Sequence, residues 1–299
     1  MKHYQILYIG LLLFLYHNAY SQRLIVEDAE RFAAIFKSNP DSISASQLQT
    51  GYLDPGTKGI KIFTPKRIRS AENLSKWVNA RRKSYEKAVK TALPAAISLS
   101  DEIEPVFQEI QQLLKQKKGA DVYVVFGALN SGGTASSKGL VIGLEVIARF
   151  AQTEEEAREV IRSFIAHELV HVYQSRVAPF SGLKKKLLAQ AIREGFCDFV
   201  ENRVLNGISA SEKERHTYGL AHEAQLWQEF KQVMDGKVYA PWMFARSTDE
   251  RPADLGYWIG KRICEAYYEK SPDKEAAIQE LLKMKNPEKI LEKSGYNPQ

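Results

Sequence analysis

Two histidines four residues apart, the first followed by a glutamate, make His167-Glu168-Leu169-Val170-His171 the segment of this chain best suited to chemistry. On a helix, residues four apart differ by about forty degrees of rotation, so both imidazoles leave one face toward a single ion. Neutral imidazole is a good nitrogen donor, and a catalytic zinc takes three protein ligands and leaves its fourth position to water. Glu168 is offset from the histidines, poorly placed to share the ion but able to reach that water. There it would accept a proton while zinc lowers the water's pKa to near 7, so the pattern points to hydrolysis with Glu168 as general base.

The surrounding sequence has to supply the helix and a third ligand. Thr153 with Glu156 makes a capping pair, and Ala157, Val160, Ile161, Phe164, Ile165, Leu169 and Val172 recur at helical spacing, which predicts one helix from about residue 154 to 175. Its apolar stripe would bury one side of the motif, an environment that penalises an unliganded His-Glu pair. A connection carrying Pro179, Ser181-Gly182 and Lys184-Lys185-Lys186 leads to a second helical pattern from Leu187 to about Leu205. Glu194 stands in it, 22 residues intervening after His171, enough for a loop and a helix that returns across the first. His167, His171 and Glu194 are therefore the expected ligands of one Zn2+ per chain. Asp198, one turn further on the same face, is expected to receive the outer-nitrogen proton of a ligand histidine and fix its tautomer. Glu201 shares that face and reads as a solvated helix residue. Gly195 within a helix costs about 1 kcal/mol relative to alanine, which asks for a reason such as a close helix approach beside the metal.

With these residues in place the chain resembles the gluzincins, zinc metallopeptidases in which the two-histidine motif on one helix is completed by a glutamate on the next. Asp198 stands where that clan often places an acidic partner for a zinc histidine. More narrowly, Ile165-Ala-His-Glu-Leu-Val-His171, Glu194-Gly-Phe-Cys-Asp-Phe199 and Arg251-Pro-Ala-Asp-Leu-Gly-Tyr-Trp-Ile-Gly260 look like a bacterial family of predicted, largely uncharacterised zinc-dependent proteases. The resemblance covers about residues 120 to 295, and its strongest motif is shared by many families. It implies a zincin-like catalytic region over residues 121–299, preceded by a helix-rich N-terminal region over 22–120, and peptide or protein as substrate.

Residues 1–21 read as a secretory signal: Lys2, an apolar run from Ile6 to Tyr16, and Ala19-Tyr20-Ser21 before a cleavage site at Gln22. The run is short for a membrane span, so no stable span is expected after cleavage, and residence is expected to be periplasmic or extracellular. No cysteine sits at the junction, which argues against lipid attachment there. Removing the signal leaves 278 of 299 residues, enough for one large unit or two lobes, and takes the net charge from +6 to +5. That excess lacks an aromatic-interleaved basic stripe, so nucleic acid is not implied. Cys197 and Cys264 allow one disulfide or two buried thiols, and so small a count argues against a thiolate zinc site.

Elsewhere, residues 24–37 show helical periodicity, residues 38–50 are polar, and the turn formers Pro55-Gly56, Gly59 and Pro65 predict a loop with a short extended piece over 51–69. Helices are expected over 71–93 and 101–118, separated where Pro94 interrupts. Two β-rich runs, 121–126 and 140–146, predict strands joined by a glycine- and serine-rich connection. They form either a rail for an extended substrate peptide or an ordinary hairpin beside the motif helix. Ser211 with Glu214 opens a further helix, and Gly256 and Gly260 suit a helix from Pro252 to about Glu269 for close packing. His222, Tyr218, Arg251 and Tyr257 are the candidates for stabilising an oxyanion, while Trp227, Trp242 and Trp258 read as core or groove-lining aromatics.

The leading expectation is thus an exported zinc metallopeptidase of α+β, predominantly helical architecture. A second is a non-catalytic, zinc-containing secreted binding or envelope-assembly protein. The fourth coordination position separates the two: water keeps it open, a fourth protein ligand closes it. A third reading has no metal and requires the three ligands to lie apart.

Overall fold

The computed structural model describes residues 22–177 and 186–299, so the signal read at residues 1–21 and most of the connection around Pro179 lie outside the described residues. The chain begins with β1 (Leu24–Ile25) and α1 (Glu27–Ser38), then α2 (Ala45–Leu48), α3 (Lys58–Phe63), α4 (Ala71–Ala80), α5 (Arg82–Lys90), α6 (Ala92–Ser100) and α7 (Glu104–Leu113). Next come β2 (Val122–Val125), β3 (Gly133–Ser136), β4 (Gly139–Gly143) and α8 (Leu144–Ile147). The remainder is helical: α9 (Glu154–Val177), α10 (Leu187–Val204), α11 (Ala210–Ala221), α12 (Glu223–Val233), α13 (Leu255–Lys270), α14 (Lys274–Lys283) and α15 (Pro287–Ser294). The architecture is α+β and mostly helical, with one small sheet. No helix among the described residues is long and apolar enough to cross a membrane.

The sheet has the order β1-β2-β4-β3. The two expected strands pair in parallel, Val122 opposite Leu140, while β3 returns antiparallel to β4 with Thr134 opposite Val141. Parallel strands are covered on both faces, which is why Val122-Tyr123-Val124-Val125 and Leu140-Val141-Ile142 are unbroken apolar runs. Helices α1 and α3 pack on β2, and α9 packs on β3 and β4. One hydrophobic core runs from Leu24 to Tyr296 and crosses residue 120 without a break.

Three local expectations are corrected. Residues 51–69 are largely helical, in α3 and two wider π-type turns, because their glycines serve packing: a Cβ on Gly59 would lie 2.4 Å from the Tyr123 side chain. The 71–93 helix breaks at Arg81 and Thr91, and Pro94 falls in the first turn of α6, where its missing N–H forfeits no helical bond. The polar stretch 38–50 contains α2, opened by a Ser44–Gln47 capping box.

The two long helices form as their patterns require. Thr153 Oγ1 accepts the Glu156 N–H at 3.1 Å at the start of α9. Helix α10 is buried on nearly every side, including its polar residues Gln190, Glu194, Asp198 and Glu201. It lies between α9 and α13, and the α10–α13 approach is a backbone contact. A Cβ on Gly195 would sit 2.1 Å from the Lys261 nitrogen, and one on Gly260 only 1.8 Å from the Ala191 oxygen. Gly260→Ala must push the helices apart, and urea unfolding should show a loss of at least about 2 kcal/mol. An unchanged midpoint would contradict this packing.

Glu145, in α8, is enclosed, with Oε1 accepting the Leu129 N–H at 3.2 Å. Burial pushes its pKa from 4.5 up to about 7, against smaller opposition from backbone hydrogen bonds. The folded protein therefore keeps this proton where the unfolded chain has lost it. The associated stability is complete below about pH 4.5 and is lost as the pH rises through about 7. Glu145→Gln should flatten that decline, worth about 3 kcal/mol at most, in unfolding curves taken on either side of the window; an unaltered pH slope would refute the assignment.

Candidate metal centre

Helix α9 presents His167 and His171 toward α10, which returns Glu194, Cys197, Asp198 and Glu201 from one face. Glu194 Oε2 lies 2.9 Å from His171 Nε2 and 3.4 Å from His167 Nε2, so both imidazoles converge on one carboxylate oxygen. The other Glu194 oxygen accepts the Gln190 side-chain amide at 2.9 Å. The outer nitrogens are occupied. His167 Nδ1 donates to Asp198 Oδ1 at 2.9 Å, and His171 Nδ1 donates to Gln174 Oε1 at 2.8 Å, because a carboxylate and an amide oxygen can only accept. Neutral rings in these tautomers turn their Nε2 lone pairs inward, as metal-binding histidines do.

Around the triad runs a buried polar network. Arg215 of α11 donates to Asp198 Oδ2 at 2.7 Å, and its guanidinium lies 5.5 Å from the centre of the Tyr257 ring, which stacks on His167 at 6.2 Å. Ser163 donates to Glu201 at 2.6 Å, and Lys261 of α13 pairs with Glu212, which also accepts from Asn202 at 2.9 Å. Glu194, Asp198, Glu201 and Glu212 thus bring four carboxylates, against two fixed cations, Arg215 and Lys261. One divalent ion, or a proton on each histidine, restores neutrality, and both the donor types and the charge fit a bound Zn2+.

The electrostatics agree with that imbalance. Burial alone would push both histidines down, but the Cys197 sulfur and the surrounding carboxylates outweigh it and hold both pKa values well above the ordinary imidazole value. Burial would likewise raise Glu194 and Asp198, yet His171 and His167 lower the first, and Arg215 and His167 lower the second. Glu212 is raised by burial and then by Asp198, with Lys261 opposing.

The structure therefore brings His167, His171, Glu194 and Asp198 together. Glu168 is half-buried on the adjoining part of α9. Of the four oxyanion candidates, Tyr257 reaches His167. His222 Nδ1 lies 2.9 Å from the Tyr218 carbonyl oxygen and their rings stack, while Arg251 pairs with Glu229 at 2.7 Å. Glu201, expected in solvent, is buried, and its i+7 spacing from Glu194 already placed it on the inner face. Cys197, three residues after Glu194, lies on that face too, and both cysteines are free and buried. Arg215, Gln174 and Gln190 carry no motif that would have revealed them.

Fold and site define a mostly helical α+β protein with a buried two-histidine, one-glutamate donor cluster. Over residues 23–298, almost its whole length, the sequence matches the family described as gliding motility protein GldB, and the chain belongs to that family. No curated protein matches it. The match corrects the resemblance to gluzincins and zinc-dependent proteases, since the family is one of gliding motility and not of peptidases. The metallopeptidase assignment falls with it, and with that peptide-bond hydrolysis through Glu168 as general base and a peptide substrate. The physical reason is that two histidines and a glutamate at this spacing encode a donor set, whereas turnover depends on what fills the fourth position.

The Lys261–Glu212 pair gives a direct test of the network. Lys261→Met should cost about 3–5 kcal/mol by leaving Glu212 buried without its cation, and adding Glu212→Leu should recover most of the loss. A single variant as stable as wild type in urea would show that the pair is not buried as described.

Proposed function

We propose that this chain is an exported, non-catalytic component of a gliding motility machinery, acting through protein partners in the periplasm or at the cell exterior. In this reading His167, His171 and Glu194 hold one Zn2+ that fastens α9 to α10, with Asp198 orienting His167. The family match over residues 23–298 carries the role. The metal is supported by the inward Nε2 atoms around Glu194 and by the two-charge deficit of the buried cluster. We read α9 and α10 as a zincin-like helix pair retained for structure rather than turnover. The matching family model, GldB_lipo, is one of lipoproteins, which supports residence at the cell envelope.

Turnover and structure make opposite demands on Glu168. In a gliding bacterium lacking its own copy of the gene, wild type and Glu168→Gln should restore colony spreading equally. Loss of spreading with Glu168→Gln at normal protein level would contradict a non-catalytic role. Zinc at about a hundredfold above its Kd should stabilise the purified chain by about 2.7 kcal/mol, and His171→Ala should abolish that gain. Equal zinc stabilisation of the variant would remove the proposed site.

A further inference from the structure

We infer that the cavity where α13, α14 and α15 meet binds the headgroup phosphates of an anionic lipid leaflet through Lys283, Lys285 and Lys289. The inference is independent of the metal reading above. The cavity measures about 440 Å3, and the nearly buried Tyr267 of α13 and Ile290 of α15 give it apolar walls. Lys283 ends α14, Lys285 stands in the connection, and Lys289 and Lys293 line the cavity from α15, one turn apart. Among the described residues one acid lines it, Glu280, which is taken by Lys293 at 3.3 Å. The ammonium groups of Lys283, Lys285 and Lys289 have no hydrogen bond or ion pair among the described residues.

Neighbouring acids are held elsewhere: Glu288 pairs with Lys186 at 3.0 Å, Glu275 with Lys115 at 3.1 Å and Glu269 with Lys274 at 3.8 Å. Three like charges around one concave, low-dielectric wall focus a positive potential into it, and the complement is an anion. Lysine meets phosphate as a compact point charge. Asn286 adds a neutral donor, since its Oδ1 accepts the Lys289 N–H at 2.8 Å and its amide hydrogens are left for a phosphate oxygen. Two observations choose a lipid headgroup over free phosphate. The family is one of lipoproteins, which sets the protein beside a leaflet. The chain also joins the fold on this side. Gln22 accepts from Gln111, in the last turn of α7, at 3.0 Å, and Gln279 of α14 donates to the Leu114 carbonyl oxygen at the end of that helix at 2.9 Å. Glu275, Gln279 and Lys283 follow one another at four-residue spacing along one stripe of α14, so the stripe runs from the end of α7 to the cavity rim.

Co-sedimentation of the mature chain with vesicles tests this. Vesicles of phosphatidylcholine mixed with phosphatidylglycerol should take up the protein, and vesicles of phosphatidylcholine alone should not. Replacing Lys283, Lys285 and Lys289 together by Gln should weaken that uptake about a hundredfold, on the order of fivefold per lysine. All three side chains are exposed, so the variant should keep the urea midpoint of wild type. Replacing Lys37, Lys76 and Lys83 by Gln removes the same charge from exposed positions elsewhere and should leave uptake nearly intact. Equal uptake by both kinds of vesicle, or an equal loss in the second triple variant, would overturn the inference. Inorganic phosphate is the other probe: its capture by wild type without uptake of the phosphatidylglycerol vesicles would overturn the lipid as ligand.

Discussion

Buried negative charge between α9 and α10 is the constraint on which the rest of this molecule depends. Taking a carboxylate out of water costs several kcal/mol unless opposite charge and hydrogen bonds replace the solvent, and four are enclosed here. Each is met by a group from a different element: Arg215 from α11 on Asp198, Lys261 from α13 on Glu212, Ser163 from α9 on Glu201. Glu194 alone faces only histidines and an amide. With neutral rings, two Nε2 lone pairs would oppose its oxygen; a divalent ion among them converts that repulsion into three bonds. A divalent ion there, as proposed, would supply the charge that Arg215 of α11 and Lys261 of α13 leave uncompensated.

Backbone packing and charge pairing reinforce each other. Gly195 and Gly260 allow α10 and α13 to meet at main-chain distance, and Lys261, next to Gly260, pairs with Glu212 of α11. Tyr257, on the same helix, closes over His167 while Arg215 lies against its ring and holds Asp198. The donor cluster is in this way walled by side chains whose helices are fixed by glycine contacts.

Much of the site was legible because it is written in helical spacing. The apolar repeat around His167 and the run after Leu187 predicted α9 and α10 nearly to their ends, and Glu194 with Asp198 followed from one face of the second helix. Gly195 and Gly260 were legible as close approaches because glycine inside a helix asks for a reason. Residues 51–69 were misread since Pro55-Gly56 and Gly59 look like punctuation, whereas the fold uses Gly59 to seat α3 against Tyr123. Arg215 and Lys261 could not be found, as a buried cation looks like any surface cation until tertiary structure supplies its carboxylate. Function is hidden from local sequence for a related reason. The three candidate ligands are local in sequence, whereas membership in a gliding motility family, which overturns the enzymatic reading, rests on the whole chain.

A zinc-edge anomalous difference map from crystals of the mature chain, purified without chelators, addresses the central claim most directly. It should show one strong peak bounded by His167 Nε2, His171 Nε2 and Glu194, at coordination distances of about 2.0–2.2 Å. A structure in which those atoms instead contact one another with no anomalous density between them, in the presence of added zinc, would contradict it.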